Sequence, residues 1–190
     1  MSKDRVHVHV ALVHWPVLDR AKNIVCTNVT NFDVHDIARA CRTYGVHKYH
    51  IVNRLKEQLI FVSRLLEHWR LGWGAEYNPS RKTALGMVEL HETLDDVLKS
   101  FSERPIVVCT SARELGIPRV TFRELREKIQ NPQTTPILLV FGTGFGLEES
   151  VLKQADLLLE PITGAAADGF RHLSVRSAVS IILDRLLGTW

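Results

Sequence analysis

The segment "RVHVHVALVHW" alternates polar and apolar residues and then becomes continuously apolar, as a strand entering a core does. A polar stretch carrying Thr27, Asn28, Thr30 and Asn31 follows. "DVHDIARACRTYG" then has helical spacing: Ile37, Cys41 and Tyr44 share one face, Asp33 is placed to cap the start and Gly45 to end it. "VHKYHIV" reads as a second strand and "KEQLIFVSRLLEHWRLG" as a long amphipathic helix. "WGAEYNPSRKT" reads as a polar loop, "ALGMVEL" as a third strand and "TLDDVLKSF" as a short helix. "RPIVVCTS" is a buried strand, and Thr121 and Glu124 have capping-box spacing at the head of "TFRELREKI". The strand "TPILLVFG", a helix after Gly146, the strand "LLLEP" and the apolar helix "LSVRSAVSIILDRLL", closed by Gly188, complete the order. Strands alternating with helices predict one α/β domain over residues 1–190, a mainly parallel sheet with helices on both faces.

The 190 residues are 45% hydrophobic with a net charge of +3, enough for a full core and compatible with a nucleic-acid partner without requiring one. No apolar run is long enough to span a bilayer, and the charged, alternating N-terminus reads as a strand instead of a signal peptide. The three cysteines, Cys26, Cys41 and Cys109, are odd in number and lack metal-ligand spacing, which predicts a reduced, cytoplasmic setting. His7, His9, His14, His47 and His50 fall at strand alternation and read as half-buried strand residues; no metal site is expected.

Candidate chemistry concentrates after the last three long strands, where ligands of parallel sheets sit. "VVCTSAREL" ends in small polar residues, "LVFGTGFGLEES" in three alternate glycines and "LLLEPITGAAADGFRHLSV" in an irregular segment. Gly142, Gly144 and Gly146 lack the Gly-Lys-Ser/Thr ending of a phosphate loop and the G-x-G-x-x-G spacing of a dinucleotide site. Glu148 and Glu149 would compete with an anion for the helix start. The loop therefore suits close backbone contact with something other than a polyphosphate.

The ordered set "LLVFGTGFGLEESVL", "LLEPI" and "HLSVRSAVSIILDRL" resembles the SPOUT superfamily of α/β RNA methyltransferases. "DVHDIARACRTYGV" resembles its first motif. With "HW" and "YNPSRKTAL", the whole chain resembles a bacterial SPOUT family described generically as SAM-dependent RNA methyltransferases. The resemblance implies a C-terminal deep trefoil knot over approximately residues 105–190 and S-adenosylmethionine (SAM) bent within it. It places Thr110, Ser111, Gly142, Gly144, Gly146, Leu147, Ile162, Leu173, Ser174, Val175 and Ala178 around the cofactor. It makes Arg39 the leading catalytic residue, working beside the SAM of a partner subunit, and implies a homodimer acting on tRNA or rRNA. Asp33 stands where many relatives have asparagine, so it is either a general base or a helix cap.

His35, Arg39 and Arg42 share a helical stripe opposite the apolar face; without the resemblance, a solvated face with an Asp36–Arg39 pair explains them equally. Arg42, Arg81, Lys82, Arg171 and His172 are candidate RNA contacts, with Arg176 able to reach RNA or the SAM carboxylate. Trp69, Trp73 and Tyr77 are candidate stacking residues, Trp69 being more at home in the core. The alternative reading is a non-catalytic SPOUT-fold RNA-binding protein that binds SAM or its demethylated product.

Overall fold

The computed structural model of the chain describes residues 7–110, 117–131 and 135–189. In chain order the elements are β1 (Val8–Val13), β2 (Val17–Leu18), β3 (Ile24–Val25), α1 (Asn31–Thr43), β4 (Lys48–Val52) and α2 (Lys56–Arg70). There follow α3 (Trp73–Tyr77), α4 (Pro79–Leu85), β5 (Val88–His91), α5 (Leu94–Lys99), β6 (Ile106–Thr110) and β7 (Arg119–Val120). The chain continues through α6 (Phe122–Gln130), β8 (Ile137–Gly142), α7 (Glu149–Leu152), β9 (Leu157–Leu159) and α8 (Val175–Leu187).

Seven strands form one sheet in the order β5-β4-β1-β8-β6-β9-β7. Every pairing recorded within it is parallel. Both faces are covered, as all-parallel sheets require. Val10, Leu12, Ile51, Leu139 and Phe141 point to one face and pack against α1, α2, α6 and α8. Ala11, Val13, Val107, Leu138 and Val140 point to the other and meet Leu94 and Val97 of α5 and Val151 and Leu152 of α7. The continuous apolar runs of β1 and β8 follow from this double burial.

Several details differ from the sequence reading: Ala84 and Leu85 of the expected strand "ALGMVEL" end α4, so β5 begins only at Val88. The cap of α1 is Thr30; Asp33 sits three residues inside, returning a carboxylate bond to the Thr30 backbone N–H at 3.2 Å and accepting from its hydroxyl at 2.6 Å. The supposed loop "WGAEYNPSRKT" contains α3 and the first residues of α4, because Asn78 caps the Arg81 N–H and Pro79 occupies the first helical turn. The polar stretch before α1 holds the antiparallel β2–β3 ribbon, strands of two residues each. The capping box of Thr121 and Glu124 forms as expected, and α8 buries Val179, Ile182, Leu183, Leu186 and Leu187. No helix among the described residues is long and apolar enough to cross a membrane.

Candidate functional site

The carboxyl ends of β1, β6 and β8 converge with the starts of α1 and α8 around a cavity of about 380 Å³. Thr110 ends β6; Phe141, Gly142, Thr143 and Gly144 lead from β8 into the glycine loop. Leu173, Ser174, Val175 and Ala178 come from the α8 start, where Ser174 caps the helix through the Ser177 N–H at 3.2 Å. His14, Thr27, Asn28 and Asp33 form the remaining wall.

Seven of the residues expected around a cofactor therefore line one cavity: Thr110, Gly142, Gly144, Leu173, Ser174, Val175 and Ala178. Gly146 and Leu147 do not reach it. Gly146 has φ +105° and its carbonyl accepts from the Leu18 N–H at 2.9 Å, while Leu147 is buried against Gly142. Ile162 is partly buried at the edge of the core, and Ser111 lies outside the described residues.

The glycines are needed first by the protein itself. A Cβ at Gly142 would stand 2.9 Å from the Leu147 backbone nitrogen. Gly144 has φ +58°, and a Cβ there would stand 2.9 Å from the Leu18 carbonyl oxygen. The β2–β3 ribbon thus lies directly against the loop, tied by Phe145 N–H to Leu18 O at 2.8 Å and Glu148 N–H to Pro16 O at 3.3 Å. Glu148 accepts from the Ser150 hydroxyl and caps α7 through the Ser150 N–H, and the hydroxyl bond first and the N–H bond after it lower its pKa.

Five lining residues had no place in the sequence reading of the pocket: His14, Thr27, Asn28, Phe141 and Thr143. His14 directly follows β1, at the strand end where ligands of parallel sheets bind, and that position was the available signal. Its Nδ1 lies 2.9 Å from the Thr27 hydroxyl, which lies 2.5 Å from that of Thr143. Its Nε2 is buried without a hydrogen-bond partner among the described residues. Burial pushes the His14 pKa down to about 4, partly offset by Asp33, so the ring is neutral at physiological pH.

Asp33 is buried and committed. Besides Thr30, it accepts from Arg176 Nη1 at 3.2 Å, tying the start of α1 to the start of α8. Arg176 also approaches Asp36 at 3.7 Å and covers the exposed ring of Phe32. It is thus an intramolecular clamp, and the supposed Asp36–Arg39 pair does not form among the described residues.

The other candidate cations group elsewhere. Arg39, Arg42 and Arg81 line a second surface cavity of about 220 Å³ between α1 and α4, with Asn78 and Ser80. Arg81 stacks over Trp69 at 4.4 Å, and burial followed by Arg81 lowers the pKa of neighbouring His35. Lys82 is exposed beside them; Arg171 and His172 lie on the exposed segment before α8, the His172 ring edge-on to Phe170. Trp73 and Tyr77 are 68% and 70% exposed and stack on each other at 4.9 Å, a ready face for a base.

Three buried neutral histidines make stability depend on pH. Burial lowers His9 and His50 to about 3 and His14 to about 4, against 6.5 for an unperturbed imidazole. In that window the unfolded chain binds protons the folded chain refuses, so stability is complete above 6.5 and falls as pH drops. Urea melts in EDTA from pH 7 to 5, above the carboxylate range, are expected to lose up to ~1.4 kcal/mol per pH unit for each histidine. A flat profile would show that these rings are not held neutral.

The chain matches the family described as SAM-dependent RNA methyltransferase over residues 7–188. It is 40% identical over 186 residues to a tRNA (guanine-N(1)-)-methyltransferase of Nitratidesulfovibrio vulgaris, covering 96% of this chain and 42% of that protein. It thus spans about two-fifths of the length of that relative. An uncharacterized protein of Aquifex aeolicus is 40% identical over 184 residues, covering 95% of this chain and 88% of its own length. The structure of a methylase family protein of Neisseria gonorrhoeae superposes with a TM-score of 0.65 at 18% identity, covering 100% of this chain and 85% of that one.

Proposed function

This chain belongs to the SAM-dependent RNA methyltransferase family, and from that membership we propose that it methylates a nucleotide of tRNA or rRNA with SAM held in the 380 Å³ cavity. The carrying observation is the lining: Thr110, Ser174 and the glycine loop Gly142–Gly144, from the ends of β6 and β8 and the start of α8, meet apolar Phe141, Leu173, Val175 and Ala178. That combination suits an uncharged adenosine, which needs backbone hydrogen bonds and an apolar slot and no phosphate cradle.

When bound, SAM supplies an electrophilic methyl group on a cationic sulfonium. The chain's own contribution is to hold acceptor and cofactor in line, where near-attack positioning supplies much of the rate. The neutral His14 ring braces the cavity wall through its bond to the Thr27 hydroxyl, and the Asp33–Arg176 pair ties the start of α1 to the start of α8. The reading includes the knotted path over about residues 105–190.

A homodimer completes the reading. Phe32, Phe145, Phe170 and Leu173 are exposed large apolar residues, all on segments bordering the cavity. A second subunit seated there would bury them and bring its own Arg39 toward the cofactor. Arg42, Arg81, Lys82, Arg171 and His172 then serve the RNA backbone, with the Trp73–Tyr77 stack beside them. The Nitratidesulfovibrio relative makes tRNA the first RNA to test; its guanine-N1 activity is the name of a protein more than twice as long. An RNA substrate also implies work in the cytoplasm.

Calorimetry is expected to show SAM binding with no comparable binding of NAD or ATP, and labelled methyl should pass to bulk RNA from cells lacking the protein. SAM binding without transfer would instead favour the non-catalytic RNA-binding reading, which the commitment of Asp33 to Arg176 supports. Binding of NAD or ATP alone would overturn both.

A further inference from the structure

Away from the cavity, on the sheet face covered by α5, polar side chains cross three strands. Strand alternation puts Glu89 and His91 on one side of the edge strand β5, and parallel pairing sets His50 of β4 opposite Glu89. His50 Nδ1 lies 3.1 Å from His91 Nε2 and 3.6 Å from Glu89 Oε2, and His91 Nε2 lies 3.8 Å from the same oxygen. Ligand atoms at ~2.0–2.1 Å from a tetrahedral zinc ion stand about 3.3 Å apart. The three donors therefore already form one face of such a tetrahedron, within a few tenths of an ångström. We propose that His50, Glu89 and His91 bind a divalent transition metal ion, zinc foremost, tying β4 to the edge strand β5.

The surroundings prepare these atoms as ligands. A metal takes a neutral imidazole, and burial keeps both His50 and His91 below their ordinary pKa. His9 Nδ1 lies 3.1 Å from His50 Nε2. With the proton on His50 Nε2, His9 accepts it and leaves Nδ1 bare for the metal, the arrangement that orients a metal-bound histidine. Phe101 packs on both rings, 4.5 Å from His9 and 6.0 Å from His50, excluding water behind them. Lys48 engages the other Glu89 oxygen at 2.7 Å, fixing the carboxylate while leaving Oε2 free. Two imidazoles favour zinc over magnesium or calcium, which take oxygen ligands. With three protein ligands, a water or other small ligand completes the fourth position, on the partly exposed Glu89 side. Glu89 and His91 were not candidates in the sequence, where the strand histidines read as half-buried residues and no metal site was expected.

Untagged protein, stripped with chelator and dialysed, is titrated with zinc chloride alone by calorimetry and with cobalt(II) by visible absorption. One saturable equivalent is expected, with the intense visible bands of tetrahedral cobalt. Glu89→Gln and His91→Gln lie at the partly exposed rim and leave the fold intact by circular dichroism; each should weaken zinc by ~10-fold or more. His9→Phe should cost ~10–100-fold by loosening His50, while His47→Gln, in the stacked His7–His47 pair that meets the His9 ring at 5.0 Å but supplies no atom to the triad, should cost less. Absence of saturable binding, or affinity unchanged in both Glu89→Gln and His91→Gln, would overturn the proposal. Loss of binding in His47→Gln alone would assign it to the other pair and also overturn it. SAM titrations play no part in the result, so the site stands or falls apart from the methyltransferase reading.

Discussion

Gly144→Val is expected to abolish SAM binding and to cost ~2–5 kcal/mol of stability. Gly144 sits at φ +58°, where an L-residue is strained by about 1–2 kcal/mol and a β-branched one by more. Its new Cβ would also meet the Leu18 carbonyl oxygen at 2.9 Å. That oxygen is backbone and accepts from Phe145 N–H, so it cannot swing aside as a flexible side chain would. The β2–β3 ribbon must move, and with it the adjoining wall of Thr27 and Asn28. The hydroxyl chain from Thr27 to Thr143 and to His14 would separate in the same motion. Gly164→Val is the control, because none of the described residues stands within 4 Å of a Cβ there. Calorimetry with SAM and a urea melt on each variant decide the matter; a folded Gly144→Val protein with native SAM affinity would remove this loop from the cofactor site.

That prediction has a different cause from the one the sequence suggested. Three alternate glycines in "LVFGTGFGLEES" were legible as backbone pressed closely by something, and the strand ends as the place where a cavity opens. What presses on Gly142 and Gly144 is the protein's own Leu147 and Leu18. The β2–β3 ribbon was hidden because strands of two residues carry no period to read. α3 and α4 were hidden for the same reason: five and seven residues make barely two helical turns, held by tertiary packing more than by pattern. The long elements, by contrast, declared themselves through continuous apolar runs on β1, β6 and β8 and the helical stripes of α1 and α8. Thr30 lost its cap to Asp33 in the reading because both spacings fit one box, and only the side-chain contacts separate donor from partner. The His50–Glu89–His91 cluster needed register, which alternation along single strands does not supply.

Arg39→Ala is expected to lower methyl transfer by about a hundredfold or more while leaving SAM affinity unchanged. Arg39 follows Asp33 by six residues, about 9 Å along α1 and turned to another side, so within one chain it faces the second cavity and not the first. It is exposed and, among the described residues, forms no ion pair. A guanidinium left free beside Arg42 and Arg81 is available to grip a phosphate in two-pronged fashion. Arg39→Lys should then recover only part of the activity, since an ammonium supplies charge without the planar fork. If Arg39 only holds RNA, KM rises and the salt dependence of binding falls by about one charge; if it acts at the reacting atoms, kcat falls. The decisive arm mixes Arg39→Ala subunits with Ala178→Trp subunits, whose cavity is filled. When each site takes Arg39 from one subunit and SAM from the other, mixed dimers contain one site free of both changes, and activity returns. No recovery in dimers shown to be mixed would place both groups within one chain and undo the shared-site arrangement.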